Sequence, residues 1–183
     1  KQMNFEIDEI GVANDNDEVT ERKEGHSLAF TSNHYSTKGG VYINAKGGIS
    51  KYLSNSKNLK NVLVHEKIHY ISAQKKGYRV ISDIEHAQVY LDQMGDASFK
   101  ETDSDYKKGL VGAFKSYLTE AANLGDINLD KANALIKTYN EKYSKITGKV
   151  LSLECNPCAQ QGGGAEETDA KWKVQSYAVE TSK

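Results

Sequence analysis

The chain has 183 residues, and its 24 Lys plus Arg against 25 Asp plus Glu give a formal net charge of −1. This balance provides no whole-chain electrostatic attraction to nucleic acid, so we expect no nucleic-acid partner. No apolar run approaches the roughly 18 residues that a membrane-spanning helix needs, and the sequence predicts no membrane span. Hydrophobic residues make up 38%, which predicts a polar surface around a modest core.

The two ends of the chain carry separate signals. The sequence begins at Lys1 without a charged and then apolar leader, so we expect a processed product or an excised domain that lacks its targeting segment. Near the other end, Cys155 and Cys158 form a C-x-x-C motif. Two cysteines are too few for a disulfide scaffold, and the alternatives are a local disulfide, two ordinary thiols, a redox pair or half of a zinc site.

The N-terminal part of the chain has the pattern of short strands. Weak alternation over 4–10 and a period of two over 26–35 each predict a strand. Residues 41–44, Val-Tyr-Ile-Asn, are β-branched and aromatic and carry the clearest strand signal. Glycine pairs lie on both sides of this third segment, which favours a short hairpin or an edge strand.

Helical periodicity replaces the strand pattern after residue 56. Val64, Ile68 and Ile71 form one apolar stripe in a helix predicted over 57–76, and Gly77 is placed to end it. Further helices are predicted over 83–94, with an apolar stripe at 84, 87, 91 and 94, and over about 104–123 and 128–146. We therefore predict an α+β fold, with a small β-rich N-terminal part followed by an active-site helix and a helical C-terminal half.

The domain organisation follows from a change in composition near residue 150. Residues 1–150 are predicted to form one domain. Residues 151–183 are predicted to form a tail with the C-x-x-C motif and a Gly-rich linker. Trp172 and Val174 predict a terminal strand in that tail.

The chemistry is concentrated in His65-Glu66-Lys67-Ile68-His69, an H-E-x-x-H motif inside the predicted helix over 57–76. Histidines at i and i+4 project from adjacent turns of one face and can bind a single metal ion. Glu66 is rotated by about 100° around the helix axis. Its carboxylate can therefore take a proton from a metal-activated water, without being a ligand, and pass it to a leaving group.

A catalytic zinc takes three protein ligands and leaves one position for water. The candidates for the third ligand are the adjacent Glu85 and His86 on the next predicted helix. Imidazole suits zinc well, which favours His86, while Glu85 remains the alternative. His86 shares a helix face with Tyr90 and Gln93, which are suited to roles beside the ligands or in the transition state.

The oxyanion that forms during amide hydrolysis needs a hydrogen-bond donor. Tyr90 is the first candidate for this donor, ahead of Tyr70, His26 and His34.

Residues 58–94 resemble the active-site core of zincin metallopeptidases, in which an H-E-x-x-H helix is followed by a turn and a second helix that supplies the third ligand. In the gluzincin branch that ligand is a glutamate, which the resemblance transfers to Glu85. The metzincin continuation is absent because Ser72 and Lys75 occupy its Gly and His positions. Zincins also place an edge strand before the active-site helix, where a substrate peptide pairs with it, and the resemblance assigns this role to residues 41–44.

The size, polar composition and helical C-terminal half are also similar to the metallopeptidase domains at the ends of bacterial polymorphic and RHS-type toxins. This resemblance implies a secreted or exported toxin domain with a protein or peptide substrate. It further implies a cognate inhibitor or immunity protein as partner.

The function predicted from these features is that of a zinc-dependent endopeptidase with one Zn²⁺. Its metal ligands are His65, His69 and His86 (or Glu85), and Glu66 is the general base and then the general acid. A zinc amidase acting on a non-protein substrate is one alternative. A non-catalytic binding module with a structural or degenerate metal site is the other.

Overall fold

The computed structural model describes residues 10–13, 28–32, 40–45, 47–76, 81–156 and 171–179. It has the predicted α+β fold, with strands near both ends of the chain and helices between them. In chain order the strands are β1 (Ile10–Ala13), β2 (Ala29–Ser32), β3 (Gly40–Asn44), β4 (Lys149–Asn156) and β5 (Lys171–Ala178). The helices are α1 (Ser56–Lys76), α2 (Asp83–Gly95), α3 (Ala97–Glu101), α4 (Ser104–Ala122), α5 (Asp126–Lys142) and α6 (Ser144–Thr147).

The chain divides into two compact units. The first comprises Lys1–Val80 and Asp92–Tyr106, and the second comprises Ile81–Leu91 and Lys107–Lys183. In the described residues, the first unit contains β1 to β3, α1 and α3, and the second contains α5, α6, β4 and β5. The sequence-based boundary at residue 150 remains a prediction.

A three-stranded mixed sheet forms one side of the first unit, in the order β1-β3-β2. Strand β3 runs parallel to β1, with Val41 opposite Ile10, and antiparallel to β2, with Ile43 opposite Ala29. Helix α1 contacts β2, β3 and α3. Val41 and Phe99 are fully buried in this unit, so the sheet and α3 supply apolar contacts beside α1.

The prediction of an edge strand at residues 41–44 is wrong. These residues belong to β3, which is the central strand and forms hydrogen bonds with a neighbour along each edge. A substrate peptide therefore cannot add to this strand without displacing β1 or β2. After the C-terminal end of the strand, Gly47 and Gly48 both have a positive φ.

Helix α1 buries a largely polar face. Asn58 and Asn61 are fully buried, and His65 and Glu66 are each only 8% exposed. Val64, Ile68 and Ile71, which the sequence predicts as the apolar stripe, are half-buried. The helix over 57–76 is therefore predicted correctly, whereas the face that packs most deeply is the one that carries the polar side chains.

The second unit has an apolar core that is formed chiefly by α4 and α5. Phe114 and Leu118 of α4 and Tyr139 of α5 are fully buried, and the rings of Phe114 and Tyr139 lie 5.6 Å apart. Strands β4 and β5 form an antiparallel ribbon, and α5 contacts β4.

Two asparagine side chains, one just after α4 and one on α5, cover the outer edges of this ribbon. The amide of Asn123 accepts from the main-chain N–H of Trp172 at 2.8 Å and donates to its carbonyl at 3.0 Å. Asn140 makes the same pair of bonds with Leu151, both at 2.8 Å. Each amide thus satisfies main-chain groups that would otherwise be open at a sheet edge.

The helices predicted from the sequence agree with the structure within a few residues, and the strand predicted at Trp172 and Val174 is observed as β5. Strand β4 and the short helix α3 were not predicted from the sequence. The strand predicted over 4–10 lies outside the described residues except for its last position, as does Gly77. In the described ranges, no helix combines the length and apolar character needed to cross a membrane.

Asp103 is the cap of α4. Its carboxylate accepts from the main-chain N–H of Tyr106 at 2.8 Å and from the Asn58 amide at 2.6 Å. Because these bonds, first of all that to Tyr106, favour the charged form, they hold the pKa of Asp103 below its usual 3.8. The cap therefore stabilises the fold above about pH 4, and this contribution is lost as the pH falls through the native pKa.

We expect Asp103→Ala to lower the melting temperature by about 2–4 °C at neutral pH, as the loss of one helix cap does at this chain length. Thermal unfolding followed by circular dichroism should show the difference from wild type shrinking towards about pH 3. Asp130→Ala, at an exposed position of α5, is the control. A difference that stayed constant with pH would contradict the role of the Asp103 carboxylate.

Candidate metal centre

Helix α1 places the two histidines of the H-E-x-x-H motif side by side. His65 and His69 lie on adjacent turns, with ring centroids 4.6 Å apart and an interplanar angle of 67°. Their Nε2 atoms are 2.9 Å apart. Because the same nitrogen of each ring faces the same point, the pair has the arrangement of two ligands that share one ion.

The surroundings of this pair differ between its two members. His65 is buried, whereas His69 is half-buried. The intervening Glu66 and Lys67 are also buried, and desolvation lowers the pKa of Lys67 to about 8. Titratable groups held in a buried environment are typical of functional sites.

A buried polar network lies directly behind His65. Its Nδ1 is 2.9 Å from Oε1 of Gln93, a residue of α2 that is only 2% exposed. The Gln93 amide in turn contacts Asn61 of α1 and the hydroxyl of Tyr106, each at 3.0 Å. The Asn61 amide continues the network to Ser98 Oγ, also at 3.0 Å.

Glu85 belongs to the start of α2. Its carboxylate accepts from the main-chain N–H of Ser82 at 3.1 Å, while the Ser82 hydroxyl accepts from the main-chain N–H of Glu85 at 3.4 Å. These reciprocal bonds form a capping box, which satisfies donors that a helix N-terminus leaves open. Glu85 is the residue that the gluzincin resemblance assigns as a ligand. Its carboxylate here caps the N-terminus of α2.

His86, the next residue, lies in an aromatic cluster. Its ring stacks on Tyr117 of α4 at a centroid distance of 4.1 Å and on Tyr90, one turn along α2, at 5.4 Å. The two tyrosine rings are 5.7 Å apart. Stacking on both rings restricts the rotation of the imidazole.

The three histidines together form a group that can hold a metal ion. His65, His69 and His86 each offer one ring nitrogen, and these three atoms lie within 4.8 Å of one another. In a tetrahedral zinc site with Zn–N bonds of about 2.0–2.1 Å, ligand nitrogens are roughly 3.3 Å apart. The limit of 4.8 Å on the three nitrogens is compatible with this spacing. Imidazole is also a ligand that suits zinc, so the residues fit such an ion.

Comparison with known proteins agrees with this chemistry. A family model described as metallopeptidase toxin 2 matches residues 9–147, about three quarters of the chain. The chain belongs to this family. The match spans α1 and α2, and with them His65, His69 and His86. No curated protein and no solved structure matches the chain, so the assignment depends on the family model.

The structure also locates some of the other candidates that the sequence offered. Tyr70 is buried on α1, while His26 and His34 lie outside the described residues. Cys155 is half-buried in β4, and its partner in the C-x-x-C motif, Cys158, also lies outside the described residues.

Three residues around the candidate centre were missed by sequence reasoning. Asn61 precedes His65 by one helical turn on the same face, and this spacing was a usable signal. Tyr106 and Tyr117 carried no signal, because a contact from a distant segment leaves no trace in a local pattern.

We expect His86→Ala to weaken zinc binding by more than about 100-fold, beyond the usual effect of changing a residue outside the ligand set. Glu85→Ala should retain zinc affinity and lower only the melting temperature, because it removes half of a capping box. Isothermal titration with zinc and thermal unfolding measure the two effects. Loss of zinc from Glu85→Ala combined with retention by His86→Ala would instead identify the glutamate as the ligand.

Proposed function

We propose that this protein is a zinc-dependent endopeptidase in which His65, His69 and His86 bind one Zn²⁺. The observation that carries the proposal is the convergence of three imidazole nitrogens within 4.8 Å. Two of these nitrogens come from an H-E-x-x-H motif on a single helix, in a chain whose family is described as a metallopeptidase.

The donor set supports zinc as the ion. Three imidazoles are neutral ligands of borderline softness, whereas calcium and magnesium take oxygen ligands. When bound, zinc supplies Lewis-acid chemistry, which polarises a scissile carbonyl and lowers the pKa of water towards neutrality. Three protein ligands are the number typical of catalytic rather than structural zinc sites.

Glu66 is the proposed general base and acid. It follows His65 directly on α1 and is only 8% exposed, so its carboxylate is largely shielded from bulk water. In peptide hydrolysis it takes one proton from the attacking water and delivers it to the departing amine nitrogen. A site with a purely structural ion needs no such carboxylate, which favours catalysis.

Tyr90 is the proposed hydrogen-bond donor to the oxyanion. Its ring stacks on that of His86 at 5.4 Å, which keeps the tyrosine beside one of the proposed ligands. A hydroxyl held there can donate to the oxygen on which negative charge develops when water adds to the carbonyl.

The proposed biological setting follows from the description of the family. A metallopeptidase toxin acts on a protein substrate, and export from the producing cell is part of the proposal. A cognate inhibitor or immunity protein in the producer is proposed for the same reason. Both statements depend on the family assignment over residues 9–147.

We expect Glu66→Gln to retain zinc but to lose at least about 100-fold in peptidase activity, because the amide cannot accept the water proton. His65→Ala should lose both the metal and the activity. Activity is read as new protein N-termini that appear in a whole-cell lysate, identified by N-terminal labelling and mass spectrometry. Bound zinc is measured separately by elemental mass spectrometry.

Glu141→Gln, at an exposed position of α5, is the matched control and should cleave like wild type. Cleavage by Glu66→Gln at the wild-type rate would overturn the mechanism. Stoichiometric zinc without any new N-termini would reject the endopeptidase, and a chain that binds no zinc would reject the metal centre itself.

A further inference from the structure

We propose that Gln93 is a positioning residue that holds His65 in the tautomer with hydrogen on Nδ1 and thereby presents a bare Nε2 to the metal. The inference rests on the proposed function and deepens it, because it assigns the group that prepares one ligand before the ion arrives. It is carried by the buried network behind His65.

The starting observation is the contact of 2.9 Å between His65 Nδ1 and Gln93 Oε1. By itself this distance leaves two questions open. The oxygen and nitrogen of a glutamine amide have similar shapes, and a neutral imidazole can carry its hydrogen on either nitrogen. Both questions are answered by neighbouring main-chain carbonyls, which can accept a hydrogen bond but cannot donate one.

Those groups are two main-chain carbonyls, which accept hydrogen bonds and never donate them. The terminal nitrogen of Gln93 lies 3.0 Å from the carbonyl oxygen of Asn61. Reciprocally, the terminal nitrogen of Asn61 lies 3.2 Å from the carbonyl oxygen of Gln93. Turning either amide over would place two acceptors against each other, so each carbonyl selects one orientation of the opposing side chain.

The orientation of Gln93 determines the tautomer of His65. With its nitrogen on Asn61, the amide can offer His65 only an oxygen, and an oxygen there requires a hydrogen on Nδ1. In the neutral ring Nε2 then carries a lone pair and no hydrogen. This is the atom that lies 2.9 Å from Nε2 of His69, so the lone pair faces the proposed metal position.

The rest of the network holds the amide in this orientation. Tyr106 donates its hydroxyl to Asn61 Oδ1 at 3.2 Å and accepts from the Gln93 nitrogen at 3.0 Å. Asn61 is fully buried and Gln93 is only 2% exposed, so water does not offer alternative partners. Outer hydrogen bonds of this kind determine the orientation of a ligand ring and commonly change metal affinity by about 10- to 100-fold when removed.

The first measurement is the tautomer of His65 in the metal-free, full-length chain, read from the ring nitrogens by long-range ¹H–¹⁵N NMR correlation at mildly alkaline pH. We expect hydrogen on Nδ1. Hydrogen on Nε2 in the wild type would overturn the inference directly. This experiment needs neither a substrate nor a bound metal.

The second measurement compares zinc affinity among variants. Gln93→Met keeps the size of the side chain but removes the acceptor. We expect it to weaken zinc binding by about 10- to 100-fold, and we expect His65 to be no longer restricted to the tautomer with hydrogen on Nδ1. Gln88→Met, an exposed glutamine on the same helix, should leave affinity unchanged. Gln93→Glu retains an oxygen towards His65 but loses the donors towards Asn61.

Gln93→Glu therefore separates positioning from general stability. It should lower the melting temperature as Gln93→Met does, yet keep the His65 tautomer and most of the zinc affinity. Equal loss of affinity in both variants, or wild-type affinity and tautomer in Gln93→Met, would show that Gln93 does not position the ligand. Should Gln93→Met fail to fold, the wild-type tautomer and Gln93→Glu still decide the question.

The outcomes also distinguish this inference from the proposed function. If the wild type binds zinc and cleaves protein while Gln93→Met behaves identically, only the inference fails. If the wild type binds no zinc, the proposed function fails, and the tautomer in the metal-free chain still tests the role of Gln93.

Discussion

The candidate centre depends on one constraint, the reciprocal hydrogen bonding of Asn61 and Gln93. Each side-chain amide bonds the main-chain carbonyl of the other residue, so the spacing between α1 and the last turn of α2 is tied to the orientation of both amides. Gln93 also contacts His65. A change in the separation of the two backbones would therefore alter the position of the His65 imidazole.

This arrangement requires polar side chains at buried positions, where apolar side chains would stabilise the fold without needing hydrogen-bond partners. Buried amides cost free energy unless their donors and acceptors are paired. Here Asn61 and Gln93 satisfy each other and share Tyr106 as a third member, which limits the cost and selects a single arrangement. The apolar stabilisation of the first unit comes from the neighbours of α1, such as Val41 and Phe99.

Neighbouring positions of one helix can serve the fold and the site separately, because consecutive side chains diverge by about 100°. On α2, Glu85 completes the capping box that starts the helix, while His86 contributes to the histidine group. On α1, the buried network contacts His65 through its Nδ1 atom. Glu66, the next residue, is the proposed general base and acid. This division places the proposed ligands on helices whose ends and buried faces are stabilised by other residues.

Local spacing in the sequence was enough to predict the long helices and the position of the H-E-x-x-H motif on α1, since i, i+4 relations depend only on helix geometry. His86 was named from ligand chemistry, because a catalytic zinc needs a third ligand and imidazole suits the ion. The tertiary structure alone decided the rest. It made residues 41–44 a central strand, since the pairing of a strand depends on distant segments. It buried the polar face of α1 in place of the half-buried Val64 and Ile68. It brought Tyr106 and Tyr117 to the network and the stack, because contacts between residues far apart in sequence arise only when the chain folds.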